Sequence, residues 1–357
     1  MALAHRALRV AEESDDPTLL AGVAPAVLAA LWAPGNERLR NEVAARALSA
    51  AEASGDPLLQ FSVNLAARQV AIESGDPVTA AYTLTRLRAT ANSVGEPYLR
   101  WLINVADTFD AMMAGRLSDA EALAAEALDF GLQIGATDAF AIYAGQFFVL
   151  RTFAGRHEEL FPLVEQAARD SPTVLPFTLA YGIICTAVGH DHAAREILRE
   201  GMESGFAELA VDNFWMTSVI AYAIIAIELD DRDAAAQLLT IIEPHAREIS
   251  FNGATSQGPV GAYAGKLASL LGRHDEAEAH LKAALATATA FGWKYHRATT
   301  LFALAQARHR QLGSLDEEGQ SWLSESSELC RAHGFQNWIP QIADLAGRPA
   351  GAPVSPT

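Results

Sequence analysis

E-S-G-D-P occupies residues 73 to 77, and near copies stand at 53 to 57 (A-S-G-D-P), 93 to 97 (S-V-G-E-P) and 13 to 17 (E-S-D-D-P). Each block carries the chemistry of a turn between two helices. Glycine takes the left-handed conformation that closes a helix, the next acid accepts hydrogen bonds from free N–H groups of the following helix, and proline lacks the N–H that a first turn leaves unused. Repeated metal loops would need several oxygen ligands converging on one ion, which one acid per turn cannot supply. The blocks are therefore read as punctuation.

Their spacing decides the fold. Gly35, Gly75, Gly115 and Gly155 recur every 40 residues, and Gly55, Gly95 and Gly135 fall midway between them. The segments between these marks carry apolar residues at helical intervals, as in A-L-A-A-E-A-L-D-F-G-L at 122 to 132. Farther on the marks become Gly189, Asp230, Gly272 and Gly313, and a small residue often follows five positions later: Ala80, Ala120, Ala194, Ala235 and Ala277. Small residues there let the two helices of a hairpin approach closely. The expected fold is an all-α, right-handed α-solenoid of about eight helical hairpins over residues 1–346, with a disordered Pro-, Gly- and Ala-rich tail over residues 347–357. In this phase residues 17 to 32 and 37 to 54 form the first pair. Residues 5 to 14 then read as the second helix of a pair whose first helix lies outside the chain, which suggests a region cut from a longer polypeptide.

Composition narrows the function. The chain has 357 residues, 43 acidic and 26 basic, for a formal charge of -17 that repels a phosphate backbone, so direct nucleic-acid binding is not expected. Cys185 and Cys330 stand far apart, with no disulfide framework or zinc spacing. The longest apolar run, V-I-A-Y-A-I-I-A-I at 219 to 227, is too short to span a bilayer, and no leader precedes the first helix. A cytoplasmic bacterial protein that does not contact the membrane is the expectation.

Two stretches resemble tetratricopeptide repeats: Y-A-G-K-L-A-S-L-L-G-R-H-D-E-A-E-A-H-L-K-A-A-L at 263 to 285, through Gly265, Gly272, Ala277, Leu281 and Ala284, and residues 181 to 198, through Gly182, Gly189, Ala194 and Leu198. Phrases such as A-G-R-L-S-D-A-E-A-L-A-A-E-A-L and L-R-T-F-A-G-R-H-E-E-L resemble the C-terminal helical arrays of LuxR-type ATP-binding regulators and of ATPase-linked adenylate or guanylate cyclases. That resemblance implies an array that senses a ligand or protein and regulates an ATPase, its own N-terminal ATPase and output domains being possible partners.

No catalytic constellation emerges, and no cofactor is expected. G-A-Y-A-G-K-L at 261 to 267 fails as a P-loop, because its first glycine is one residue too close and Leu267 stands where a hydroxyl is needed. His274 and His280, and His190 and His192, have the wrong helical spacing to share a metal ion. Attention falls instead on the inward stripe of the first helices, which reads Leu102, Val105, Phe109 and Met112, then Ile142, Gln146 and Val149, then Leu179 and Ile183, then Ile220, Ile224 and Ile227, and later Lys266, Ser269 and Arg310. An apolar groove of this kind would hold a protein partner's helix or peptide, or an apolar small molecule. The alternative is a tight superhelix that buries the stripe against itself. Trp101, Tyr143, Arg151, Tyr181, Trp215 and Tyr222 are further candidates for its lining. Two longer connections, at 205 to 213 and 250 to 259, are expected to gather on one face and carry contacts.

Overall fold

A computed structural model describes residues 2–347 apart from 15, 207, 208, 210 and 211. A single helix, α1 (Ala2–Glu13), packs on eight successive hairpins. These are α2 (Pro17–Ala30) with α3 (Glu37–Ser54), α4 (Pro57–Glu73) with α5 (Pro77–Val94), α6 (Pro97–Met113) with α7 (Leu117–Gln133), and α8 (Ala139–Phe153) with α9 (His157–Asp170). They continue as α10 (Leu175–Ala187) with α11 (Asp191–Glu203), α12 (Trp215–Glu228) with α13 (Arg232–Ile242), α14 (Val260–Leu270) with α15 (His274–Ala290), and α16 (Lys294–Leu312) with α17 (Glu317–His333). A last helix, α18, runs from Trp338 to Gly347, so position 347 ends a helix, while the rest of the expected tail lies outside the described residues. The all-α helical repeat solenoid is as expected. Among the described residues no helix is long and apolar enough to cross a membrane.

The turn blocks act as their chemistry dictates. Gly55, Gly75 and Gly95 all adopt positive φ. The Asp76 carboxylate accepts from the N–H groups of Val78 and Thr79, both at 3.0 Å, Asp56 caps α4 in the same way, and Asp16 caps α2 through the Thr18 N–H alone. Glu96 is the exception: at the head of α6 its longer side chain makes no capping bond. Asp230 takes the left-handed position, at φ 55°, that glycine fills elsewhere. Ala80, Ala120, Ala194, Ala235 and Ala277 are all buried, as close helix approach requires.

The array winds until it meets itself. A His333 ring nitrogen lies 3.3 Å from the Gly115 carbonyl oxygen, 218 residues away, and Phe153 stacks on Tyr295 at 3.7 Å. At Gly155 a Cβ would sit 2.8 Å from the Asn337 backbone nitrogen, so this turn needs glycine for a close approach as well as for its φ of 72°. The axis of the superhelix is filled by the chain's own residues. The connection after α13 is a short 3₁₀ turn (Glu243–His245) and a two-stranded antiparallel hairpin, β1 (Ile249–Phe251) and β2 (Ser256–Pro259), paired Ile249 to Pro259. The connection at 250 to 259, read from the sequence as a loop, thus holds a short β-hairpin within the all-α fold. Its tip is an Asn turn: the Asn252 side-chain oxygen accepts from the N–H groups of Ala254 at 3.2 Å and Thr255 at 2.9 Å, and Gly253 adopts φ 100°.

Candidate functional site

The hairpin occupies the α6 and α8 part of the apolar stripe that the sequence offered as a groove. Phe109 packs on Phe251 and Trp293, with ring centroids 5.2 and 6.0 Å apart, and joins Met112, Phe153, Phe302 and Phe335 in one core. Gln146 is fully enclosed and donates to the carbonyls of Val105 (3.1 Å) and Ala254 (3.4 Å), tying α8 to α6 and to the hairpin tip. Val149 packs at the edge of that core, and Leu102 and Ile142 lie beside Trp101 and Val105. Leu179 and Ile220 are buried between consecutive hairpins, with Ile183, Ile224 and Ile227 half-buried against them. Val105, Phe109, Met112, Gln146, Leu179 and Ile220 of the stripe are thus buried and the other six half-buried, the α6 and α8 part being covered by the β-hairpin and the α10 and α12 part by neighbouring helical hairpins.

Two of the further candidates are likewise structural: Trp101 donates to the Ala127 carbonyl at 3.0 Å, and Tyr222 packs on Phe206. Lys266 lies inside the array, its ammonium 5.4 Å from the Tyr263 ring and 5.9 Å from that of Trp338, and burial pulls its pKa below the usual lysine range. Arg310 turns to Ser269 (3.4 Å) and Asp230 (3.7 Å). Burial likewise pushes the His296 imidazole down to about 3, so that it stays neutral among Phe153, Trp293 and Tyr295.

A pocket of about 270 Å³ opens at the seam where residues 32–74 meet residues 212–251. One wall comes from Trp32, Glu37 and Arg40 around the head of α3, and from Glu73 at the end of α4. The opposite wall comes from Asp212, Trp215, His245, Glu248 and Phe251. Both long connections contribute to it, through Asp212 and Asn213 and through Phe251, and Trp215, offered by the sequence for the apolar groove, lines this pocket instead. The other wall was not anticipated, because nothing in the sequence around residues 32 to 40 marks it as facing residues 200 positions away.

The first wall is a braced acid. Both the Arg40 guanidinium (2.5 Å) and the Trp32 indole N–H donate to Glu73, and Arg40 also lies over the Trp32 ring at 5.1 Å. Burial pushes the Glu73 carboxyl up to about 7, against Arg40 and Trp32, which favour its charged form. On the facing wall His245 Nδ1 lies 2.7 Å from Glu248 and 3.6 Å from Glu37, with Trp215 edge-on to its ring at 5.4 Å. The hydrogen bond to Glu248 is the main cause that raises the His245 pKa, with Glu37 adding to it. The pocket therefore combines two indoles and four carboxylates, Glu37, Glu73, Asp212 and Glu248, with the buried Arg40, the exposed Arg247 and His245. Four carboxylates thus face two arginines in this lining, and indole faces attract cations.

A second group, Glu243, Glu276 and His280, also brings its ligand atoms within 4.8 Å of one another. It uses one histidine of the H-D-E-A-E-A-H stretch and leaves His274 out. A cleft of about 520 Å³ lies between α16, α17 and α18 and is lined by His309, Gln320, Ser327, Arg331 and Ile342. No protein-family model matches the chain, and no curated protein is significantly similar to it.

Proposed function

We propose that the chain is a non-catalytic regulatory repeat module of a bacterial signalling or transcription-regulatory protein, and that it senses a small ligand in the seam pocket. The observation that carries this reading is where the pocket lies. Its walls belong to residues 32–74 and 212–251, which touch only because the superhelix closes, so occupancy and closure are thermodynamically linked. A groove for a partner's helix has less support, since the stripe it would use holds the protein's own hairpin. A protein partner then reads the closed state from the outer helix faces.

Thermal unfolding in the presence of a chelator, against a panel of amines, guanidines and amino acids at millimolar concentration, tests the reading. A ligand present at 100 times its Kd contributes about 2.7 kcal/mol, a rise of a few degrees in Tm for a chain this long. That rise should vanish in Trp215→Ala. Stabilisation that survives this substitution would place the ligand elsewhere, and no stabilisation by any member of the panel would remove the small-cation reading.

A further inference from the structure

We propose that Glu37, His245 and Glu248 form a binding site for a borderline divalent cation such as Zn²⁺, and that this ion staples the seam shut. The three ligand atoms all lie within 4.8 Å of one another. Both carboxylates address the same imidazole nitrogen, at 3.6 and 2.7 Å. The one Nδ1–H can be given to only one of them, and Glu37 Oε1 is held by the Gly35 N–H instead, which leaves two like charges around one imidazole. A cation in their midst resolves that conflict. With metal–ligand bonds of about 2.0–2.2 Å, the edge of a tetrahedral site is about 3.3 Å, which lies between the two observed separations. One carboxylate oxygen moves in and the other out, and the ring keeps its place.

The surroundings are those of a supported site. Glu37 Oε1 also accepts from the Gly35 N–H at 2.7 Å, which aims the carboxylate, and the Trp215 edge holds the imidazole plane. Glu73, on the same wall as Glu37, is held by Arg40, and Asp212 accepts from the Phe214 N–H, so the carboxylates grouped around an imidazole are Glu37 and Glu248. The 270 Å³ pocket opens beside the triad, leaving a fourth position for water or for a ligand atom. Glu37 heads α3, whereas His245 and Glu248 precede β1, so the ion would join parts of the chain about 200 residues apart.

This inference shares its pocket with the sensor reading but does not depend on it, and the two tests separate: the first runs in chelator, the second with metal alone. Calorimetric titration with ZnCl₂ should show one site, and Co²⁺ should give the visible absorption of a tetrahedral complex. His245→Ala and Glu37→Gln, each checked for unchanged helix content, should each weaken Zn²⁺ at least tenfold and remove the cobalt band. His280→Ala, in the other acid-rich group, should change neither. Loss of binding in His280→Ala, retention in both His245→Ala and Glu37→Gln, or no binding by the native chain would each overturn the assignment.

Discussion

At the scale of single residues, Glu73 gives the clearest prediction. The folded protein holds its proton up to about pH 7, whereas the unfolded chain releases it near the ordinary glutamate value of 4.5. Between those values the folded state binds more protons, so the contribution of Glu73 to stability falls as pH rises from 4.5 to 7 and is constant above. The wild-type unfolding free energy, measured relative to Glu73→Gln, should therefore drop by about 3 kcal/mol across that window. A flat difference would show that Arg40 and Trp32 fully offset burial, and a rise with pH that they outweigh it. His296 works in the opposite sense: its depressed pKa removes stability as pH falls from 6.5 towards 3, which is why the comparison must be made against the variant. The caps at Asp16, Asp56 and Asp76 were legible because a helix N-terminus depends on neighbours two and three residues away. The pairing of Glu37 with His245 was not, because no local pattern records which residues a superhelix brings together after some 200 positions.

At the scale of elements, the hairpin of β1 and β2 is the piece that turns a groove into a core. Phe251 is buried against Phe109, and its removal leaves a void at the axis of the superhelix. Phe251→Ala should cost about 3–5 kcal/mol in chemical denaturation. Phe140→Ala, at a ring 68 % exposed on α8, should stay within about 0.5 kcal/mol. Equal costs would mean that the hairpin does not pack as described. Helix positions and hairpin phase followed from glycine spacing and apolar periodicity. The two strands did not, since three or four residues are too few to display an alternation and the segment is held by long-range contacts. Of the inward stripe, Val105, Phe109, Met112, Gln146, Leu179 and Ile220 are buried. Sequence periodicity reports which face of a helix is apolar, without saying whether a partner or the chain itself covers it.

At the scale of the whole molecule, closure is what unites the observations. It buries the stripe, gives the hairpin its place, and creates a pocket from two walls that are otherwise unrelated. An α-solenoid of eight hairpins that stayed open would have an exposed stripe and no seam, and the sensor reading would lose its basis. Small-angle X-ray scattering on the purified chain separates these shapes. A chain of this length packed as one closed body should give a radius of gyration of about 21 Å with a nearly symmetric distance distribution. A value several ångströms larger, with the long tail of an extended rod, would contradict the account.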